Sequence, residues 1–202
     1  MLTTHKLDLI FPEKKGVNYD NLKLTPEGIY SVTRKCDSRK IIQKMISVMG
    51  QICNKHITDV TGNIGGDSIM FALNFRFVES IEIDYDTYNV LKNNVETYKL
   101  KNIRVRHGDS TKLFNWKTDV LYIDPPWGGK EYKDKGILDL YIGEQRLDLW
   151  IQTILEQEWR PNFIFIKLPN NYNFERLDNL SNVTKNEKFI IRKFILVGLV
   201  LS

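Results

Sequence analysis

The chain has 202 residues, 42% hydrophobic and 27% charged, with a formal net charge of +4 and an isoelectric point of about 8.9. This suits one ordinary globular domain with a full hydrophobic core, and the mild basic excess fits a polyanionic partner without demanding one. Two cysteines, Cys36 and Cys53, exclude a disulfide framework and make a reducing, intracellular setting the expectation, nuclear or cytoplasmic.

The start, MLTTHKLDLIFPEKKG, lacks the apolar stretch of a signal peptide, and residues 1–28 are polar and turn-rich, so they read as an arm or small cap. His5, His56 and His107 are scattered without Cys/His ligand spacing, so no metal site is expected. From residue 37 strands and helices alternate. DSRKIIQKMISVM places Ile41, Ile42, Met45, Ile46 and Met49 on one helical face, with Asp37 or Ser38 as its N-cap. HITDV is a short strand leading into TGNIGGDS, and IMFALNF follows as a helix. VESIEI, IRVRH, DVLYI and NFIFIKL are further strands, with DTYNVLKNNVETYKL a helix between the first two of them. EQRLDLWIQTILEQEW repeats apolar residues at Leu147, Trp150, Ile151, Ile154 and Leu155, the mark of an amphipathic helix. KFIIRKFILVGLVL reads as a terminal strand pair, since its last apolar run is about half the length a membrane span needs. Alternation of this kind implies a mainly parallel sheet covered on both faces, with ligands at the carboxyl ends of its strands.

The chemistry-bearing residues fall at those ends. After the first strand, Gly62, Gly65 and Gly66 permit a tight turn and close backbone approach to a ligand at a helix N-terminus. Glu82 and Asp84 end the second strand, where an acid can accept from both ribose hydroxyls, with Asp84 expected to act as a local cap. Asp109 ends the third, within reach of an adenine amino group. Glycine turn, acid and acid at successive strand ends describe a site for an adenosine, and no phosphate-binding lysine follows, so S-adenosylmethionine fits best.

The fourth strand ends in DPPWGGKEY. Methylating an exocyclic amine of a nucleobase requires acceptors that hold the amine hydrogens and aim the nitrogen. Asp124 supplies a carboxylate, Pro125 and Pro126 stiffen the backbone and bring no competing N–H, and Trp127 offers a stacking face. As a strand-end carboxylate facing a cleft, Asp124 is expected to contribute little to the core.

The string DPPWGGKEY resembles the S-P-P-W-G-G-P-x-Y signature of the trimethylguanosine synthase family, which methylates the 2-amino group of a 7-methylguanosine RNA cap. LKLTPEGIYSVT, TDVTGNIGGDSIMFAL, KNNVETY and IFIKLPNN resemble further blocks of that family in the same order, over about residues 22–172. The resemblance implies a Rossmann-like class I methyltransferase, an α/β fold with a seven-stranded mainly parallel sheet, an antiparallel C-terminal strand and helices on both faces. It implies a domain over 37–202 and an arm over 1–36 that contributes to the pocket. It assigns Ser31, Thr33, Asp59, Gly62, Gly65, Glu82, Asp109 and Ser110 to S-adenosyl-L-methionine, with Glu82 on the ribose and Ser31 and Thr33 over the methionine part. It assigns Asp124, Pro125, Pro126 and Trp127 to catalysis, Trp127, Tyr132 and Asn170 to the cap base, and capped RNA as partner, with neither membrane nor metal.

The chain departs from the family at four places. Asp124 replaces the family's Ser, Asn63 stands where a glycine is usual, RKCDS follows SVT in place of P-E, and the arm is short. Asp124 and the short arm keep open an amino methyltransferase for adenine or an internal guanine in RNA or DNA. The altered glycine loop keeps open a catalytically silent RNA-binding module.

Overall fold

Val120 to Ile123 are all fully buried, and their alternation explains the layers. Val120 and Tyr122 join one apolar cluster, while Leu121 and Ile123 join another, as side chains of period two must when both faces of a strand are covered. The computed structural model describes residues 2–202, with side chains throughout except at residues 2–5 and 130; the His5 side chain therefore lies outside the description.

The elements run α1 (Leu2–Ile10), α2 (Pro26–Ser31), α3 (Lys35–Met49), β1 (His56–Asp59), α4 (Gly66–Ala72), β2 (Phe77–Glu82), α5 (Tyr85–Thr97), β3 (Ile103–His107), α6 (Ser110–Leu113) and β4 (Val120–Ile123). They continue as β5 (Tyr141–Ile142), β6 (Gln145–Arg146), α7 (Leu147–Leu155), β7 (Phe163–Pro169), α8 (Glu175–Asp178), β8 (Val183–Ile191) and β9 (Phe194–Leu201). Seven strands form one sheet in the order β3-β2-β1-β4-β7-β9-β8. The first five pair in parallel, and β9 runs antiparallel between β7 and β8. This is the expected Rossmann-like architecture. The strand order reverses between β1 and β4, which opens the ligand crevice there.

On one face of the sheet, Ile41, Ile42 and Met45 of α3 and Met70 and Phe71 of α4 pack on Ile57, Tyr122 and Phe165. On the other, Leu147, Trp150, Ile151 and Ile154 of α7 cover Leu121, Ile123, Ile164 and Ile166. Each such side chain contributes about 1.5–3 kcal/mol by leaving water, so these two layers carry the fold.

Five local expectations are corrected. Polar composition conceals a helix at the N-terminus: α1 packs Leu7 and Ile10, with Phe11 behind them, against Leu91, Val95 and Tyr98 of the α5 region. The contact is locked by polar bonds, because the Tyr98 hydroxyl donates to the Pro12 carbonyl (2.5 Å) and the Lys14 ammonium to the Tyr98 carbonyl (2.5 Å). Helix α3 begins at Lys35 with Arg34 in the N-cap position, so neither Asp37 nor Ser38 is the cap; both are buried, and the Ser38 hydroxyl donates to Asp67. Ile46 is 44% exposed, at the rim of the stripe that Ile41, Ile42 and Met45 bury. Residues 144–146, read as helix, lie in the β5–β6 hairpin that turns at Gly143 (φ +55°), so α7 starts at Leu147. Helix α4 likewise starts at Gly66, three residues earlier than its apolar pattern suggests.

Candidate active site

The loop between β1 and α4 is shaped by two glycines. The Gly62 amide donates to the Ile81 carbonyl (2.7 Å), so close that a Cβ at Gly62 would run into the Ser80 hydroxyl and Leu91. Gly65, at φ +96°, turns the chain into α4. Between them Asn63 takes φ +47°, the left-handed backbone that asparagine tolerates. Its amide donates to Glu82 Oε2 (2.8 Å), its side chain donates to the Ser31 hydroxyl (2.7 Å), and its Oδ1 accepts from the Ile64 amide (2.7 Å). One residue thus joins α2, the loop and the end of β2. Asn94 of α5 braces the same loop, donating to the carbonyls of Ile64 (2.9 Å) and Lys23 (3.0 Å) while accepting from the Lys23 amide (2.8 Å).

Three acids line this side. Asp59 is 1% exposed, accepts from the Ser68 hydroxyl (2.5 Å) and the Thr61 amide (3.1 Å), and has no cationic partner among the described residues. Burial, assisted by the charges of Asp67 and Asp124, pushes its pKa up to about 7. Glu82 is only partly buried; burial raises its pKa against the amides of Asp84 and Asn63 that hold both its oxygens. Asp109 caps α6, accepting from the Thr111 amide (2.9 Å) and hydroxyl (2.7 Å) and pairing with Lys112 (3.3 Å). Partial burial works against its ionised form, but these bonds outweigh it and its pKa is lowered. The Ser110 hydroxyl is spent on the Val60 carbonyl (2.7 Å). Asp84 caps α5 through the Thr87 amide (2.8 Å).

Across the crevice, Asp124 does not stand alone at its strand end. Its Oδ2 accepts from the Lys167 ammonium of β7 at 2.6 Å, and its amide donates to the Thr61 hydroxyl (2.8 Å). The expectation that it adds little to the core is therefore corrected: it neutralises a lysine whose side chain is 6% exposed. The Lys167 ammonium also donates to the Thr33 hydroxyl (2.9 Å), which donates to Asp67 Oδ2 (2.5 Å). Asp67 accepts in addition from the hydroxyls of Tyr122 (3.0 Å) and Ser38. Burial pushes Asp124 up to about 6 even though Lys167 pulls it down. Burial likewise opposes the Lys167 ammonium, and the charges of Asp124 and Asp67 overcome it, so its pKa lies above the ordinary lysine value.

Trp127 follows Asp124 by three residues and packs between the two sheet-face clusters. Its ring meets Tyr132 edge-on at 5.1 Å and has the Lys167 ammonium 5.4 Å from its centre. Its indole Nε1–H is buried with no hydrogen-bond partner among the described residues. Pro125 is buried and Pro126 exposed. Asn170 lies in the exposed turn after β7, and its neighbour Asn171 ties down the loop beyond Trp127 by donating to the carbonyls of Tyr132, Lys135 and Gly136. Among the described residues no group of three His, Cys, Asp or Glu side chains is arranged to hold a metal ion, and no helix is long and apolar enough to cross a membrane.

The geometry thus brings together Ser31, Gly62, Gly65 and Glu82 at one side of the crevice, and Thr33, Asp124 and Trp127 at the other. It adds Lys167, Asp67, Asn94 and Asn171, which motif reading passes over, and gives Asn63, read in the sequence only as a departure from a glycine, a bracing role. A lysine inside the apolar run FIFIKLP is the one local sign that a buried anion must stand opposite.

The RNA cap guanine-N2 methyltransferase family matches residues 54–198. The chain belongs to that family. It is 33% identical to an uncharacterised protein of Acanthamoeba polyphaga mimivirus, over 94% of this chain and 83% of that one. It is 30% identical to the trimethylguanosine synthase of Saccharomyces cerevisiae over 65% of this chain, and spans only 42% of the yeast protein. The fold also matches the Thermus thermophilus 16S rRNA N2 methyltransferase RsmC, solved with AdoMet and guanosine, at a TM-score of 0.65 with 12% identity, over 89% of this chain and 44% of that one. This family member therefore has the fold of S-adenosylmethionine-dependent methyltransferases, and S-adenosyl-L-methionine is its cofactor. Its residues fit the group: a loop with no room for a Cβ at Gly62 or Gly65, a partly exposed carboxylate at the end of β2, and beneath the loop a buried carboxylate with no cationic partner among the described residues.

Proposed function

We propose that the chain methylates the 2-amino group of a 7-methylguanosine RNA cap. The observation that carries this reading is the end of β4, where Asp124, with Oδ1 free of hydrogen bonds among the described residues, stands three residues from the half-buried Trp127. Bound S-adenosylmethionine supplies a methyl group on a sulfonium centre. In this reading Glu82 accepts from the ribose hydroxyls, Gly62 and Gly65 allow close approach, and Asp59, Ser31 and Thr33 serve the methionine part. Asp109 and Ser110 face the adenine.

The amine of guanine is a weak nucleophile because its lone pair is delocalised into the ring. Asp124 Oδ1 accepts one of its hydrogens and aims the nitrogen, while Pro125 and Pro126 keep competing N–H donors away. Trp127 stacks on the base, worth about 1–3 kcal/mol. A cationic 7-methylguanine gains more from the indole face than a neutral base does. Tyr132, edge-on to Trp127, and Asn170 complete the base-binding side. Capped RNA is accordingly the partner, and the net charge of +4 favours that polyanion. An intracellular setting, nuclear or cytoplasmic, accords with the two exposed free cysteines.

One observation favours a second reading. Asp124 is a carboxylate where the trimethylguanosine synthase signature has serine, which suits an amino methyltransferase for adenine or an internal guanine. The silent-module alternative loses its support, because Asn63 adopts the backbone that the loop needs. The test is product analysis with S-adenosylmethionine and three substrates: a 7-methylguanosine cap analogue, its unmethylated counterpart, and uncapped RNA. Methyl transfer confined to the first is expected. Transfer to uncapped RNA with none to the cap would replace this reading by the second.

A further inference from the structure

We infer that Lys167 is the positioning residue of the methyl-transfer site: its ammonium fixes the Asp124 carboxylate so that Oδ1 alone meets the substrate amine. The inference rests on the reading of Asp124 as the amine acceptor. Lys167 sits on β7 and Asp124 just past β4, neighbours only because these strands pair in parallel through Ile123 and Ile166. The ammonium engages Oδ2 at 2.6 Å and spends a second proton on the Thr33 hydroxyl at 2.9 Å. Phe194 and Trp127 flank it, with ring centres 5.3 and 5.4 Å away. An ammonium walled in this way cannot turn to water, so the carboxylate it holds is fixed in rotamer.

The same cation settles the charge state. The titratable groups facing it are Asp124 after β4, Asp67 on α4 and Asp37 on α3; Asp67 also adds its charge to those felt by Asp124, and the Tyr122 hydroxyl on β4 donates to Asp67. Asp124 and Asp67 thus share one ammonium, while Arg192 lies 3.8 Å from Asp37, and without Lys167 the Asp124 pKa would rise further towards protonation. A protonated carboxyl presents a donor as well as an acceptor and no longer holds the amine in one orientation. Thr33 extends the device: the segment between α2 and α3 reaches Asp124 through Lys167 and reaches α4 through Asp67. Asp124 in place of the signature serine and Lys167 in an apolar strand are then one feature, a charge pair built into the acceptor.

The test compares wild type with Lys167→Met, Asp124→Ser and the double variant Asp124→Ser/Lys167→Met. Single-turnover methylation of a 7-methylguanosine cap analogue is followed from pH 5.5 to 8.5 at saturating S-adenosylmethionine, with cofactor affinity measured by calorimetry. The Asp124 carboxylate is titrated by 13C NMR in the free protein, which needs no substrate. Lys167→Met is expected to lose about a hundredfold in rate at pH 7, the scale of a misplaced reacting group. Its cofactor affinity should stay within about threefold, well under the tenfold that 1.4 kcal/mol represents. The acid limb of its rate profile and the Asp124 titration should both move to higher pH by about one unit or more, since an opposite charge within reach shifts a carboxylate by that much. The double variant should fold and react within about tenfold of Asp124→Ser, because no carboxylate acceptor is left for the ammonium to fix and Asp67 keeps the hydroxyls of Thr33, Ser38 and Tyr122. An Asp124 midpoint equal in wild type and Lys167→Met overturns the inference. Should Lys167→Met not fold, a double variant slower than Asp124→Ser by a hundredfold or more overturns it, and recovery supports it. A wild-type protein inactive on the cap, with the NMR shift present, would instead reject the cap substrate and leave the Lys167 role standing.

Discussion

The two sides of the crevice hold their acids by different means. On the cofactor side, Asp59 and Glu82 accept from hydroxyls and backbone amides with no cationic partner among the described residues, and only Asp109 at the rim pairs with a lysine, the exposed Lys112. On the substrate side, Asp124 is locked to Lys167. Neutral donors leave a carboxylate's charge uncompensated, ready for a cationic ligand, at the cost of a raised pKa. A buried ammonium cancels the charge and fixes the geometry instead. In the proposed reading one side attracts and the other aims.

Removing the acids one at a time tests that contrast, and the largest effect is expected at Asp124. Asp124→Ala loses the acceptor and strands the Lys167 ammonium. Breaking a buried pair costs about 3–5 kcal/mol, which at roughly 2–4 °C per kcal/mol for a domain of this size lowers the melting temperature by about 10 °C. Single-turnover methylation should fall by about a thousandfold as orientation is lost. A variant as stable as wild type would show that Lys167 finds another partner.

Trp127→Ala should follow, with cap methylation down by about a hundredfold, the upper end of base stacking, and calorimetric affinity for S-adenosylmethionine nearly unchanged. Full activity in that variant would move the base to another surface. Glu82→Ala, on the attracting side, removes charge-assisted bonds of about 1.5–3 kcal/mol each, so cofactor affinity should drop tenfold or more. Its melting temperature should change far less than that of Asp124→Ala, since no cation is left behind.

Asp59→Asn separates the two designs by pH. The Asp59 pKa lies near 7 in the folded chain, against an ordinary 3.8. The folded state therefore holds a proton that the unfolded state has lost between those values, and stability falls as pH rises through that window. Asn lacks this liability, so the melting temperature of Asp59→Asn relative to wild type should climb from pH 5 to pH 8. Cofactor affinity of the wild type should rise about five- to tenfold between pH 6 and 7.5, as the carboxylate ionises to meet a cation, and should stay flat in Asp59→Asn. A wild-type affinity indifferent to pH would remove Asp59 from the attracting set. The smallest effect belongs to Asp84→Ala, which removes the α5 cap for about 1 kcal/mol and should leave cofactor affinity within about twofold. A larger loss there than at Glu82 would exchange the roles of the two acids.

The alternation of strands and helices, and the placing of Gly62, Gly65, Glu82, Asp109 and Asp124 at successive strand ends, were legible because both rest on local pattern. Side-chain periodicity reports which faces are covered, and a turn's chemistry is written in adjacent residues. Helix α1 was not legible, since its burial comes from Leu91, Val95 and Tyr98 some eighty residues onward. The start of α3 was misread because Ser38, which looks like a cap, donates instead to Asp67 on another helix.

By itself, then, the sequence determined the architecture, the crevice and the residue types that chemistry would need there. The tertiary structure alone decided how those residues are electrically set: Lys167 against Asp124 across 43 positions, Thr33 against Asp67 across 34, and Asn63 between Ser31 and Glu82. The reason is physical. A backbone pattern depends on neighbours in the chain, whereas a buried charge depends on which opposite charge the sheet brings within hydrogen-bond reach, and that follows from strand order.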